Sequence, residues 1–330
     1  MAPARSDFQK ERALAQINLG SFAESQNELD RAIRHYEVAL AVMRQRAQRE
    51  PSNTEVLSDL QAPLNKIAWA EFKTGRFEAA RRHYEEERRI LLSLLEREPQ
   101  HEFRRQRLAI NHDYLGTVRM AMGDIDGALA EFESDIALQE RAVKRDPANM
   151  IWRRNLAAAY RQHGDTLRAR DPGRAMASYA KAANTIASVL AKQKGEMQPA
   201  LELGMIEIGM ARTLLRQEKL GGARMHAERA VEALAALKGG ADKQRRHALA
   251  LVTLGEIHAA AGRTDQARER WLEAERVLPP RSPSLRDPRI LDMWARVLLL
   301  LDRDAEAQPV LADLDAMGYR SPDLDALRQS

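Results

Sequence analysis

Cysteine is absent from the 330 residues, which excludes disulfides and thiolate metal sites. Aromatic residues are scarce at 5%, against 44% hydrophobic and 30% charged residues. That balance suits long exposed helices around a thin core packed by Ala and Leu, and it is too apolar for a disordered chain. No charge of one sign prevails: 52 basic residues stand against 48 acidic ones, a formal net charge of +4. A nucleic-acid binder collects its basic residues on one stripe, so their distribution matters more than their total. Long apolar runs are missing too. The strongest, Val297 to Leu301, is bounded by Arg296 and Asp302 and is far short of the ~20 residues a membrane span needs. The opening MAPARSDFQKERALAQ lacks the apolar core of a signal peptide. The expected setting is the cytoplasm, or the periplasm if the chain is part of a larger membrane-anchored protein.

What is present is a repeat. A small residue, a large one four later and a mostly small one three later again recur along the chain. The anchors are Ala32/Tyr36/Ala39, Ala80/Tyr84, Ala128/Phe132, Ala175/Tyr179/Ala182, Ala223/Ala227/Ala230, Ala267/Trp271/Ala274 and, weakly, Ala307/Leu311. The leading alanines lie 48, 48, 47, 48, 44 and 40 residues apart. About twelve residues upstream of each stands Leu-Gly or a near equivalent: Leu19-Gly20, Ile67-Ala68, Leu115-Gly116, His163-Gly164, Met210-Ala211 and Leu254-Gly255. Turns fall between the halves at Gly75-Arg76, Gly123-Asp124, Asp171-Pro172-Gly173 and Gly262-Arg263. Breaks follow the second halves at Pro51, Glu98-Pro99, Asp146-Pro147, Lys194-Gly195, Gly239-Gly240 and Pro279-Pro280.

Spacings of three and four put side chains on one helical face. Gly or Ala in the first helix and Ala in the second let two backbones approach, and the Tyr, Phe or Trp fills the seam with the next pair. Gly supplies a left-handed helix end, and Asp-Pro or Pro-Ser stops one unit and starts the next.

The stretch LGEIHAAAGRTDQARERWLEAERVLP, Leu254 to Pro279, resembles the tetratricopeptide repeat, as does RMAMGDIDGALAEFESDIAL from Arg119. The resemblance implies an all-α chain, a right-handed α-solenoid superhelix of about seven antiparallel helix pairs. Five long repeats would occupy 1–240, and two shorter ones with a C-terminal cap 241–330, in one continuous solenoid. Ordinary members repeat every ~34 residues; the register here is about 48 residues, so the helices should be longer. Such long repeats, with junctions like RDPANMIWRRNLAAAYRQHGD, resemble arrays in multidomain bacterial signalling proteins, including C-terminal regions of Ser/Thr kinases. The closing VLADLDAMGYRSPD also looks like the tail of such proteins, although the chain has no Gly-rich loop, HRD or DFG.

Two prolines strain the pattern. Pro63 should kink its helix or mark a start after a break, and Pro309 falls early in the last helix, where proline is easier to tolerate. The fifth repeat has Ala227 where an aromatic is expected and should be the loosest joint.

Chemistry is sparse. The eight histidines include no H-E-x-x-H pair, and His35 and His83, each preceding a seam tyrosine, read as structural. Asp124-Ile125-Asp126-Gly127 lacks the further ligands of a calcium loop and reads as a helix start with Asp124 at the N-terminus. No nucleophile elbow, Walker loop or dinucleotide fingerprint occurs, so the chain is expected to be no enzyme, with no cofactor and no metal. Arg76, Arg81, Arg82, Glu85, Glu86, Glu87, Arg88 and Arg89 read as an exposed face stitched by ion pairs worth ~0.2–0.5 kcal/mol each.

In the resembled family the first helices line the concave surface. Projecting that register gives a candidate peptide-binding set: Asn65, Trp69, Phe72 and Lys73; Asp113 and Thr117; Arg161, Asp165 and Arg168; Arg212 and Arg216. Trp69 and Phe72 either anchor an apolar side chain or are buried against the neighbouring repeat. Arg161, Arg168, Arg212 and Arg216 either make a basic patch for an acidic or phosphorylated peptide or pair with nearby Glu and Asp. A family mode that grips a C-terminal carboxylate finds Asn18 and Asn65 in place, but Leu14 and Ala62 where lysines are needed. The leading expectation is a non-catalytic scaffold for a partner protein or peptide. The alternative is a regulatory region of a larger bacterial signalling protein. An RNA-binding array ranks third, because the arginines cluster in the fourth and fifth repeats instead of recurring in each.

Overall fold

The computed structural model describes residues 2–193, 196–237, 239–282 and 285–329, with side chains from Phe8 onward. The Lys194-Gly195 break lies outside the described residues. All regular structure among the described residues is helical, in sixteen helices. The chain packs as two compact units, 1–122 and 123–330.

Unit 1 holds α1 (Ala2–Ser25), α2 (Leu29–Arg49), α3 (Thr54–Asp59), α4 (Gln61–Lys73), α5 (Phe77–Arg97) and α6 (Glu102–Ala121). Unit 2 holds α7 (Ile125–Arg145), α8 (Met150–Leu167), α9 (Pro172–Lys192), α10 (Met197–Arg216), α11 (Leu220–Ala235), α12 (Ala241–Ala260), α13 (Thr264–Val277), α14 (Pro288–Leu300), α15 (Asp304–Ala316) and α16 (Pro322–Arg328). The second helix of each pair spans 21 residues in α2, α5, α7 and α9, then 16, 14 and 13 in α11, α13 and α15. The shortening of the repeat accompanies a shortening of these helices and, in the last pair, of the first helix α14, at 13 residues against 20 in α12. Across the Gly239-Gly240 junction, α11 packs directly on α12.

The helix ends follow the sequence signals. Asn53, Asp124, Asn149 and Asp171 each accept a backbone N–H at a helix start. Gly75, Gly123 and Gly262 turn the chain at positive φ. Pro63 has no N–H to give the Asp59 carbonyl, and the helix accordingly breaks there into α3 and α4 at Leu60. Pro309 is the sixth residue of α15, past the first turn where proline is easily placed.

The seam rings Tyr36, Tyr84, Phe132 and Tyr179 are all buried. Tyr179 shows why small residues recur opposite them. A Cβ at Gly164 of its own repeat would lie 2.8 Å from the ring, and one at Gly209 of the next repeat 2.4 Å from it. Gly209→Ala is therefore expected to cost about 1–3 kcal/mol by overpacking. Gly221→Ala, where an added Cβ meets nothing within 4 Å, should be neutral or slightly stabilising; thermal unfolding of the two variants should give opposite signs. The fifth repeat closes without an aromatic: Ala211, Ala223 and Ala227 pack with Leu254 and Ile257. It is not a void.

In unit 2 the first helices α8, α10, α12 and α14 pack side by side, and α16 returns to pack on α14. Among the described residues no helix is long and apolar enough to cross a membrane.

Candidate functional site

The predicted residues of unit 1 surround an aromatic cluster. Phe72 is 1% exposed; its ring stacks on Trp69 at 5.5 Å and 16° and meets Phe77 at 5.7 Å. It is core, which decides for burial between the two readings of Phe72 and removes it from the candidate binding set. The reason is angular: three positions on from Trp69, its side chain has rotated toward α5. Trp69 is half-buried between Phe72 and Tyr114, and the Lys73 ammonium lies 5.4 Å from its ring centre. Lys73 is also tied to Glu24 at 3.0 Å.

Asn65 donates to Glu87 at 3.3 Å, and Glu87 further takes Asn111 at 3.0 Å and Arg107 at 2.7 Å. Glu87 is fully buried. Burial pushes its carboxyl above the ordinary value against the opposing pull of Arg107. Asn65 therefore helps to satisfy a buried acid. Asp113 and Thr117 are half-buried on α6. His35 meets Gln16 and His83 meets Glu71, both at 2.8 Å, tying first helix to second. Arg81 bonds Glu78 at 2.9 Å and Glu85 at 2.7 Å along α5, as expected of a stitched face.

Unit 2 brings most of its predicted residues together. Arg161 on α8 donates to Glu202 on α10 at 2.6 Å and to Asp165 at 2.7 Å. Asp165 also accepts the Tyr179 hydroxyl at 2.7 Å. Arg168, at the C-cap of α8, and Arg212 on α10 both donate to one oxygen, Oδ2 of Asp323, at 2.9 and 2.7 Å. Arg296 on α14 bonds Glu256 on α12 at 3.2 Å, and Arg212 stands 3.9 Å from that glutamate. Arg216 is apart from this group and exposed at the end of α10.

Of the two readings of these arginines, Arg161, Arg168 and Arg212 take the one that pairs them with Glu and Asp, and the patch is neutralised from within. Arg168, Arg212 and Asp323 keep only 15, 10 and 18% of their side-chain surface. Burial alone would raise the Asp323 carboxyl, but Arg212, Arg168 and Arg296 outweigh it and hold the group well below the usual carboxylate range. Burial lowers Arg212 to about 10 against the pull of Asp323, with Arg296 and Arg168 adding repulsion. It stays a cation at neutral pH.

Because the folded-state pKa of Asp323 is depressed, its contribution to stability is complete above the ordinary aspartate value of 3.8 and is lost as pH falls below it. Unit 2 should therefore hold steady from pH 7 to 5 and weaken below pH ~4. Asp323→Asn should flatten that acid limb in thermal melts run against pH.

Asp323, Glu202, Glu256 and Arg296 were missed by spacing arguments. One signal was available for Asp323. Gly318 ends α15 at positive φ, and Ser321-Pro322-Asp323 has the cap, proline and acid of a fresh helix start. Among the described residues no group of three or more His, Asp or Glu is placed to hold a metal ion.

Within unit 2, helix pairs stack so that the first helices α8, α10, α12 and α14 share a face. Residues 115–185 match the sequence model of the tetratricopeptide repeat family. No curated protein matches the sequence. Among solved structures, BtubC (BKLC) from P. vanneervenii is similar at a TM-score of 0.52 and 18% identity, over 77% of this chain and 96% of that one. The Rap conjugation gene regulator of plasmid pLS20, in complex with the Phr* peptide, gives 0.55 and 12%, over 92% and 73%. A Rap protein complexed with Competence and Sporulation Factor gives 0.54 and 12%, over 93% and 90%. These likenesses are of fold. Residues 115–185 thus carry the tetratricopeptide repeat, and the helix pairs on either side follow the same helical-repeat fold.

Proposed function

We propose that the chain is a non-catalytic protein-interaction scaffold that holds an acidic or phosphorylated segment of a partner on the first-helix face of unit 2. One observation carries this reading: guanidinium groups from successive first helices, Arg168 and Arg212, converge on a single carboxylate oxygen. That geometry recognises a carboxylate or a phosphate. The Rap structures of similar fold, each solved with a peptide or factor, support it.

Selection of a randomised peptide library on the full chain tests the proposal. Recovered peptides are expected to be rich in Asp and Glu, and Arg212→Glu should abolish their recovery. Recovery unchanged in that variant would overturn the site. The arginines cluster in the fourth and fifth repeats instead of recurring in each, so a labelled single-stranded RNA should not be retained at physiological salt. The long register and the tail VLADLDAMGYRSPD support a place for this scaffold as a regulatory region in a larger bacterial signalling protein; the reading frame at its locus tests that directly.

A further inference from the structure

We infer that α16 is a resident ligand of the unit 2 site, and that a partner segment carrying a carboxylate binds by displacing it. This deepens the proposed function and rests on it. Asp323 comes from 155 residues beyond Arg168 and 111 beyond Arg212, yet its carboxylate sits between their guanidinium groups. The helix bearing it has seven residues, too few to be stable alone, so it is ordered by what it docks against. Its apolar anchor is one buried side chain, Leu324, in the core around α14. Ser321 caps its start.

Asp323 does not saturate the site. The Nε groups of Arg168 and Arg296 are buried without a hydrogen-bond partner, so donors remain beside the bound carboxylate. A segment that offers a second anionic oxygen can make bonds that Asp323 leaves unmade. Besides Asp323 and Leu324, Arg328 ties α16 to Asp315 of α15 at 2.9 Å, and covalent attachment gives the helix an effective concentration in the millimolar range. A free peptide must exceed that advantage, so the site opens only to a ligand better matched than the tail itself.

The test uses the full chain and a fluorescent peptide of the chain's own sequence 319–330, YRSPDLDALRQS. Anisotropy titrations compare the unaltered chain with Asp323→Asn. The variant is expected to bind the peptide about tenfold or more tightly, because its own tail competes poorly. A peptide with Asn in place of the aspartate equivalent to Asp323 should bind neither chain. Leu324→Ala serves as a second route, loosening α16 while keeping every charge, and should raise affinity in the same direction.

Equal binding to the unaltered chain and both variants would overturn the displacement. So would failure of Asp323→Asn to bind while its melting curve shows a folded chain. Equal binding that is nonetheless lost in Arg212→Glu would sink the resident-ligand role and leave the interaction site standing. Binding that survives Arg212→Glu would remove the site itself.

Discussion

Asp323→Lys is expected to strip α16 of amide-exchange protection while α8 and α10 keep theirs. The substitution places a fourth cation among Arg168, Arg212 and Arg296, and leaves their buried charges without the carboxylate that balances them. Breaking such a pair costs about 3–5 kcal/mol. The opposing term is the burial of Leu324, about 1.5–3 kcal/mol for a leucine-sized side chain. The electrostatic term wins, and a short helix that leaves lets the arginines regain water. Exchange measured by mass spectrometry over 318–329 reports the result. Unchanged protection there would show that Leu324 and the Ser321 cap hold α16 without the ion pair.

Tyr179→Ala should be the most damaging single change in the core of unit 2, at about 3–5 kcal/mol. The ring is fully buried between Gly164 and Gly209, which have no side chains to move into the space. Its hydroxyl donates to Asp165, which also holds Arg161, so the substitution disturbs the charge network as well as the packing. Burial and then the Asp165 carboxylate push the phenol well above its ordinary value. It therefore remains a donor throughout the accessible pH range. Tyr179→Phe separates the two contributions: it keeps the ring and should lose only the bond to a charged acceptor, about 1.5–3 kcal/mol. Urea unfolding followed by circular dichroism distinguishes them, and near-equal losses for the two variants would contradict the packing account.

The repeat was legible because its determinants are local. A glycine or alanine in one helix and an aromatic in the next are set by contact distance, so Leu19-Gly20 with Tyr36 or His163-Gly164 with Tyr179 announces a helix pair. The break at Pro63 was legible for the same reason, since a missing N–H acts four residues away. Phe72 was not. Its face depends on how α4 meets α5, and three positions of helix turn it from surface to core.

Arg161, Arg168 and Arg212 do gather on one face, as their register places them, while Arg216 lies beyond the end of the cluster. Their partners could not be read from spacing. Glu202 is one repeat away from Arg161, and Asp323 is separated from Arg168 by most of unit 2. A charge from such a distance in sequence leaves no periodic trace, yet it decides whether the patch is open or filled.

The most direct measurement is hydrogen exchange in α16 with and without an acidic peptide recovered from selection on the full chain. The account predicts that bound peptide lowers protection at 322–328 and raises it in α8 and α10, because the ligand's carboxylate takes the place of Asp323. Protection that stays constant or rises in α16 on binding would contradict it.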